Sequence, residues 1–538
     1  MLHARWQSGV WMFGYPRLIY FGFVVLTAVL GIVLALWWPP GLWASLVLAA
    51  LVVVGALDLR SRHNVLRNFP VIGHLRYMLE FMRPELRQYF FESETSGRPF
   101  NREQREIVYK RSAGAPDTAP FGTMRDFEDA GFNFAQHSMA PKDVDERHAR
   151  LIIGGSQCRQ PYDSSRLNIS AMSFGSLSGN AVAAMNRGAK LGNFAQDTGE
   201  GAISDYHREH GGDLIWEIAS AYFGCRTKEG RFDADEFAKK ANTDQVKMIE
   251  IKISQGAKPG HGGLLPGSKV TEEIARVREI EVGEDCASPA SHPEFDTPRG
   301  LLAFVDRLRQ LTHGKPVGFK LCLGRQDEFM GICKAMIETG IYPDFITVDG
   351  AEGGTGAAPT EFQDSLGTYI NEALPFVDNC LRGIGLRDEI RVIASGKVVM
   401  GFDMVVKIAL GADMCNAARP FMFSVGCIQA RRCHTDTCPT GVATQNPRRS
   451  AAIDVLGKSL AVRNFHDATI RSFLDITGAM GCDSPEQLGR GLIFHRPEHG
   501  PACTFAEVHP VVKSGAFLNG DLPEAYAGAW ARASAQAF

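Results

Sequence analysis

The chain has 538 residues, of which 45% are hydrophobic and 22% charged, and its formal net charge is −3 at pH 7. This length suits one large catalytic domain with additional segments, and the near-neutral charge gives no sign of a nucleic-acid-binding surface. Twelve cysteines are scattered without a disulfide framework. No cleavable signal is evident, so we expect the main domain to lie in a reducing, cytosolic compartment.

The first feature along the chain is a stretch from Leu18 to Leu57 without a charged side chain. Residues 18–37 have the length of a helix that crosses a bilayer core of about 30 Å. Residues 42–57 are shorter and would form the return leg of a hairpin, after a break at Trp-Pro-Pro-Gly, residues 38–41. The pattern predicts a transmembrane hairpin within residues 1–62, with a buried hairpin of a soluble protein as the alternative.

Arginines flank this stretch on both sides. Arg5 and Arg17 precede it, and Arg60, Arg62 and Arg67 follow it, whereas the turn between the two spans has no basic residue. Basic residues are retained on the cytoplasmic side of membranes. We therefore predict a protein of the inner (cytoplasmic) membrane, with both ends of the hairpin and the catalytic domain on the cytoplasmic side.

Residues 63–150 are polar and charged, and they are predicted to form a helical or irregular segment before the main domain. From His63 to Phe90, apolar residues recur at steps of three and four, which is typical of an amphipathic helix. Such a helix could lie on lipid or pack on the domain that follows, and packing is the simpler expectation.

From about residue 165, short apolar runs alternate with helical stretches such as 299–311 and 403–410. Six runs are candidate strands: Leu167–Ala171, Met248–Ile253, Val317–Leu321, Phe345–Val348, Arg391–Ala394 and Met414–Ala417. This alternation predicts an α/β fold, and its length suits one (β/α)8 TIM barrel over residues 151–495 better than an open sheet. Residues 496–538 are predicted to be a loosely attached C-terminal tail.

In such a barrel, functional residues follow the C-terminal ends of the strands. Met172 and Ser173 lie in a loop of small residues that would let the backbone approach a flat ring, although an ordinary turn also explains it. Glu200 lies between two glycines, either in a solvated turn or poised over a ligand. Gln255 and Lys258 lie in a glycine-rich loop that could hold an anion or a flavin.

Lys320 interrupts an apolar candidate strand, and a buried lysine is costly unless its charge is used. A cation beside a flavin would stabilise the reduced, anionic ring. Two glycine-rich loops follow successive late strands and suit the phosphate cradle of a barrel. Their candidate residues are Gly353, Gly354, Thr355, Gly396 and Lys397.

Cys427, Cys433 and Cys438 form the pattern C-x5-C-x4-C. Thiolates are soft ligands, and three of them in one loop suit iron–sulfur chemistry, whereas structural zinc sites use closely spaced CxxC pairs. Three reduced cysteines packed in a buried loop are the alternative.

Around these cysteines, the run CHTDTCPTGVATQ resembles the iron–sulfur loop of the FMN domain of glutamate synthases. The resemblance extends from about Ser164 to about Gly489. It implies an FMN-binding barrel with a three-iron, four-sulfide (3Fe-4S) cluster held by Cys427, Cys433 and Cys438.

The resemblance also implies roles for the other candidates. Glu200, Lys258 and Lys320 would be catalytic, and Arg278 would bind substrate together with Glu200. The residues at FMN would be Met172, Ser173, Gln255, Lys258, Lys320, Gly353, Gly354, Thr355, Gly396 and Lys397.

Three positions depart from the family pattern. His261 stands where these enzymes have an acidic residue, and Leu264 stands where they have a glutamine that contacts 2-oxoglutarate. The sequence Cys-Asn-Ala-Ala-Arg at 415–419 replaces the family's Gly-Phe-Gly-Thr-Ala. The first two departures leave the identity of the substrate open, and the third leaves the last phosphate contacts open.

The implied activity is that of a glutamate synthase-like oxidoreductase acting on CH–NH2 groups. It would reduce the imine of a 2-oxo acid, such as 2-oxoglutarate, and ammonia, with electrons passed from the cluster to FMN. The electron donor would be a ferredoxin, a separate reductase subunit or a membrane donor. The alternatives are a related FMN enzyme for another amine or 2-oxo acid (N-methylglutamate synthase-like), a membrane-tethered electron-transfer module, and an interaction protein on a decayed barrel.

Overall fold

The computed structural model describes residues 9–38 and 42–538. The chain divides into two compact units, Met1–Ser93 and Glu94–Phe538. Arg5 and most of the predicted break between the two apolar segments, residues 39–41, lie outside the described residues.

The first unit begins with two apolar helices, Gly9–Trp37 and Leu42–Asp58. Within the first, Leu18–Trp37 has a mean hydropathy of 2.6 and is almost wholly exposed. By its length and composition this helix could cross a membrane, as an anchor or as a signal sequence. The helices Asn64–Asn68 and Gly73–Leu86 follow, and a π-helical turn over Arg87–Phe91 ends the unit.

The second unit is built around a closed barrel of eight parallel strands, which confirms the (β/α)8 prediction. The last strand closes the barrel by pairing with the first, with Cys415 opposite Leu167. In chain order the strands are β1 (Leu167–Ile169), β2 (Gln196–Asp197), β3 (Leu214–Ile218), β4 (Val246–Lys252), β5 (Val317–Leu321), β6 (Phe345–Asp349), β7 (Arg391–Ser395) and β8 (Met414–Ala417).

The six predicted strands all form, with ends within two residues of their predicted positions, whereas β2 and β3 were not predicted. β2 has only two residues, both polar, so it lacks the apolar run that marks a buried strand. β3 has the sequence LIWEI, in which a glutamate points among buried residues. β2 therefore lacks a recognisable signal, whereas the run LIWEI of β3 resembles the run MIEI of the predicted β4 and could have been recognised.

Helices surround the barrel and connect its strands. Helix Pro298–Leu311 begins at the N-cap Thr297, whose side chain accepts a hydrogen bond from Gly300 N, and proline occupies the first turn. The helices of the second unit are Arg102–Ser112, Gly179–Gly192, Asp205–Arg208, Ala234–Ala241, Glu272–Arg278, Pro298–Leu311, Gln326–Thr339, Thr360–Ser365, Ile370–Gly383, Gly401–Ala409, Arg419–Ser424, Pro447–Ser450, Val455–Ala479, Phe505–Val508 and Glu524–Arg532.

The barrel interior is apolar at one end and polar at the other. A hairpin of Arg150–Ile153 and Tyr162–Ser165 covers the N-terminal ends of the strands. Ile153 and Tyr162 pack there against a layer of buried side chains: Ala195, Ile215, Met248, Phe345, Ile393 and Met414. This layer seals the bottom, so any site lies at the opposite end, as is usual for this fold.

The C-terminal residues pack on the barrel unit, so the prediction of a loosely attached tail was wrong. Ile493–His495 pairs with Asn133–Ala135 and with Cys503–Thr504 in an antiparallel sheet. Phe517 is buried, and the Lys334 ammonium lies 5.0 Å from the centre of the Trp530 ring. The few apolar residues of the tail are thus sufficient to hold it in place.

Candidate functional site

A cavity of about 890 Å³ opens at the C-terminal ends of the barrel strands. Ligand pockets of proteins have volumes of about 300–1,000 Å³, so this cavity has the size of a cofactor site. Its lining includes every predicted site residue except Arg278: Met172, Ser173, Glu200, Gln255, Lys258, Lys320, Gly353, Gly354, Thr355, Gly396, Lys397, Cys427, Cys433 and Cys438.

The floor of the cavity contains one lysine among buried carboxyl groups. Lys320 on β5 is 4% exposed, and its ammonium forms an ion pair with Glu217 of β3 and another, at 3.3 Å, with Glu250 of β4. Asp197 of β2 completes the group, since carboxylate oxygens of Asp197, Glu217 and Glu250 lie within 4.8 Å of one another. Lys320 therefore supplies the positive charge that a metal ion would supply in such a group.

Burial sets the protonation of this cluster. It raises the pKa of Asp197, and the negative charges of Glu250 and Glu217 raise it further. Burial also raises the pKa of Glu217, although Lys320 opposes the shift. Burial alone would lower the pKa of Lys320, but attraction by Glu217 and Glu250 raises it well above its usual value. The lysine is thus charged at neutral pH, and Asp197 and Glu217 release their protons at a higher pH than exposed carboxyl groups do.

Glu200 lies on the wall of the cavity and is held by Lys252, with 3.0 Å between Nζ and Oε2. Burial would raise the pKa of Glu200, but the charges of Lys252 and Arg278 lower it to about 2. The neighbouring loop fits closely around this carboxylate, because a Cβ atom added at Gly263 would lie 2.5 Å from Glu200 Oε1. Glu200 is thus a fixed anion.

Of the other two residues predicted to act at the substrate, Lys258 lines the cavity and Arg278 does not. The Lys258 ammonium donates a hydrogen bond to Gly262 O at 2.7 Å, and burial lowers the pKa of this lysine. Arg278 is 3% exposed, donates to Phe174 O at 2.9 Å and does not line the cavity. Leu264 does line the cavity and is 41% exposed. Lys258 and Leu264 thus line the cavity, whereas Arg278 lies outside its lining.

A second group of cations lies where the glycine-rich loops end. Lys397 and Arg419 line the cavity together with Arg98. Burial lowers the pKa of Lys397, and the positive charge of Arg419 lowers it further. The Arg419 guanidinium donates to Glu352 O at 3.3 Å and lies 4.8 Å from the centre of the Phe100 ring. Cations gathered in this way suit a bound anion.

The cysteine loop forms another wall of the cavity. Burial raises the pKa of Cys427 to about 12, and the nearby sulfurs of Cys433 and Cys438 contribute to the shift. Burial would also raise the pKa of Cys438, but hydrogen bonds from Ala443 and Thr440 lower it. Donors aimed at a sulfur are typical of iron–sulfur ligands. These donors suit the ligand set of an iron–sulfur cluster.

Two sets of site residues escaped the sequence analysis. The carboxylates Glu217 and Glu250 are acidic residues inside the apolar runs LIWEI and MIEI, a signal that could have identified them. Arg98 precedes the barrel by many residues, and no local pattern marks it. Arg419 was noticed only as a departure from the family pattern.

Comparisons with known proteins identify the family of this chain. The conserved region in glutamate synthase matches residues 128–483. The glutamate synthase large subunit-like protein YerD of Bacillus subtilis (strain 168) is 37% identical over 482 residues, which cover 82% of this chain and 91% of that protein. The archaeal glutamate synthase [NADPH] of Methanocaldococcus jannaschii is 36% identical over 321 residues, 60% of each chain.

Among solved structures, a mutant flavocytochrome b2 with pyruvate bound aligns with a TM-score of 0.42 and 13% identity, over 78% of this chain and 85% of that one. The chain spans less than two thirds of the length of the archaeal relative, and most of the length of the Bacillus protein. On the matched conserved region and this relative, the chain belongs to the glutamate synthase family, whose members are oxidoreductases.

Proposed function

We propose that this chain is an FMN-dependent, iron–sulfur glutamate synthase-like enzyme that reductively aminates a 2-oxo acid. The observation that carries the proposal is the sharing of one cavity by a buried lysine, a group of cations and three cysteines. When bound there, FMN would supply hydride transfer to the imine of a 2-oxo acid and ammonia, and a 3Fe-4S cluster would relay electrons to FMN, one at a time, from an external donor.

Lys320 and the loops of Met172, Ser173 and Gln255 would hold the FMN ring. The charge of Lys320 is fixed and oriented by Glu217 and Glu250 before any ligand binds. A cation held in this way stabilises negative charge on a ring without having to reorganise. The lysine would therefore favour the reduced, anionic form of the flavin.

The FMN phosphate would lie between the glycine-rich loops and the cations. Lys397 and Arg419 would donate to it, with Arg98 nearby at the cavity wall. The glycines keep this space open, because a Cβ atom added at Gly354 would lie 2.9 Å from a guanidinium nitrogen of Arg419. The remaining cradle would be formed by Gly353, Thr355 and Gly396.

Cys427, Cys433 and Cys438 would hold the cluster through their thiolates. Tyr109 donates to Cys427 O at 2.8 Å, and the Lys269 ammonium donates to Cys433 O at 2.9 Å. These contacts fix the loop independently of the sulfur atoms. The three cysteines would thus be positioned to bind the cluster in the wall of the cavity that would also hold the flavin.

Glu200 and Lys258 would act at the substrate, with Lys258 binding the 2-oxo acid carboxylate and Glu200 orienting the ammonia-derived nitrogen. Arg278 supports Glu200 electrostatically, and substrate contact by Arg278 would require its side chain to leave Phe174. Because Leu264 also faces the cavity, the second candidate is a related enzyme for a different amine or 2-oxo acid with an apolar side chain.

The apolar helices of residues 1–62 would anchor the enzyme in the cytoplasmic membrane, with the barrel on the cytoplasmic side. The support is the exposed, uncharged helix Leu18–Trp37. Electrons would then come from a membrane donor, a ferredoxin or a separate reductase subunit.

The proposal is tested with the purified full-length protein. We expect bound FMN and iron, and we expect the chemically reduced protein to be reoxidised, without oxygen, by a 2-oxo acid together with ammonium. A panel from 2-oxoglutarate to 2-oxo acids with apolar side chains separates the two candidate substrates. A flavin-free protein, or reoxidation that does not depend on ammonium or another amine, would contradict the proposal.

A further inference from the structure

The helix Gly73–Leu86 carries an exposed row of apolar side chains. Leu75, Met78, Leu79 and Met82, here called the apolar stripe, follow the spacing i, i+3, i+4, i+7 and therefore share one face. Their exposed fractions are 52%, 50%, 49% and 42% in the described part of the chain. Soluble proteins rarely leave such a row in water.

The start of this helix is tied to the end of the second apolar helix. Asp58, the last residue of that helix, is 4% exposed. Its carboxylate accepts a hydrogen bond from Val71 N at 2.8 Å and lies 2.8 Å from His74 Nε2. Because Asp58 is the first acidic residue after the apolar stretch, it marks the level at which a membrane-spanning hairpin would meet water. The contacts of Asp58 with Val71 and His74 therefore hold the start of the helix Gly73–Leu86 at the proposed boundary between membrane and water.

The charges around the helix complement an anionic surface. Residues 59–93 contain six arginines and three glutamates, a net charge of +3. Arg76, Arg83 and Arg87 are exposed and lie along the side of the helix next to the apolar stripe. Helices that lie in the headgroup region of anionic bilayers typically carry arginines beside an apolar face.

Exposed aromatic side chains continue the pattern. Tyr89, Phe90 and Phe91, in the π-helical turn that follows, have exposed fractions of 56%, 76% and 79%. Aromatic rings accumulate at the boundary between lipid tails and headgroups. Apolar stripe, arginines and aromatic turn thus occur together in one segment of twenty residues or fewer.

We propose that residues 73–91 lie flat in the interface of an anionic bilayer, with the apolar stripe in the upper acyl region and the arginines at lipid phosphates. The occupant of the exposed face is then lipid and not the barrel or a second copy of the chain. This inference rests on the proposed membrane anchor, and the experiment below separates the failure of one from the failure of the other.

The test uses the full-length chain in vesicles of phosphatidylcholine and phosphatidylglycerol, with one photo-reactive benzoylphenylalanine per variant. Met78→benzoylphenylalanine reports on the apolar stripe, and Glu80→benzoylphenylalanine, on the opposite face of the same helix, is the matched control. Leu26→benzoylphenylalanine, in the first apolar helix, reports on the anchor. Mass spectrometry identifies lipid and peptide adducts. We expect lipid adducts at Leu26 and Met78, and several-fold fewer at Glu80.

Each alternative outcome would overturn the interfacial helix, the membrane anchor or the role of the arginines. Lipid adducts at Leu26 with peptide adducts, or none, at Met78 would overturn the interfacial helix and leave the anchor standing. No lipid adduct at Leu26 would overturn the anchor and the inference together. The role of the arginines is tested by Arg83→Gln combined with Arg87→Gln, which should lower lipid adducts at Met78 several-fold in the anionic vesicles and little in pure phosphatidylcholine. Equal yields in the two lipids would refute the electrostatic part.

Discussion

Replacement of the lysine on the cavity floor, Lys320→Met, should make the stability of the barrel strongly dependent on pH. In the described part of the chain, Lys320 is the cation within ion-pair distance of Glu217 and Glu250. Methionine keeps the approximate length and removes the charge. Breaking a buried ion pair on one side costs about 3–5 kcal/mol, because the remaining charge is left uncompensated.

This cost depends on pH because the carboxyl groups can take up protons. Burial already raises the folded-state pKa of Asp197 and Glu217, and loss of Lys320 would raise both further. The folded state then holds protons that the unfolded state releases above its ordinary carboxyl pKa. Stability therefore falls as pH rises between these pKa values, by about 1.4 kcal/mol per pH unit for each proton retained.

The assay is urea unfolding of the full-length protein, followed by circular dichroism at about pH 5 and about pH 8. We expect Lys320→Met to lose more stability at the higher pH, and the added change Glu217→Gln to restore part of it and flatten the dependence. Lys315→Met is the matched control, since Lys315 is a buried lysine that donates to the carbonyls of Ala241 and Val246. Parallel pH curves for wild type and Lys320→Met would refute the reasoning.

Three further predictions address the other walls of the cavity. Cys433→Ser should remove iron while flavin is retained, and Cys415→Ser, a buried cysteine of β8, should keep both; equal iron contents would contradict the cluster assignment. Lys252→Met should destabilise the protein at neutral pH, and less as pH falls from 4.5 toward about 2, because the lysine holds Glu200 ionised; an effect independent of pH would refute the pairing. Arg419→Met should weaken FMN binding about 10- to 100-fold, the loss of one charge-assisted hydrogen bond. Riboflavin, which lacks the phosphate, should bind as before, and an equal effect on both flavins would exclude a phosphate contact.

The sequence allowed the prediction of features whose signal is local. A lysine within VGFKL stands out because its neighbours are apolar, and three cysteines in one loop stand out by their spacing. Glycine-rich loops after strands are equally visible. The structure brings all of these to one cavity, which follows from the rule that parallel strands present their C-terminal ends at one face.

What could not be predicted depends on contacts between distant parts of the chain. Glu217 pairs with Lys320, more than a hundred residues later in the chain, and no local pattern indicates that these two residues meet. Arg98 reaches the cavity from the segment before the barrel. The buried position of Arg278 follows from its hydrogen bond to Phe174, and nothing in the helix sequence indicates it.

The segment before the barrel that contains Phe100 and Tyr109 contacts two walls of the cavity, although no pattern in its sequence indicates this role. Gln429 of the cysteine loop exchanges two hydrogen bonds with the backbone of Phe100, at 3.1 and 3.0 Å. The ring of Phe100 lies 4.8 Å from the guanidinium of Arg419 in the proposed phosphate site, and the Tyr109 hydroxyl donates a hydrogen bond to Cys427 O. A displacement of this segment would therefore move the proposed cluster ligands and the proposed flavin contact together. Electron transfer between the two groups depends on their separation, and a shared support is a physical means of keeping that separation constant.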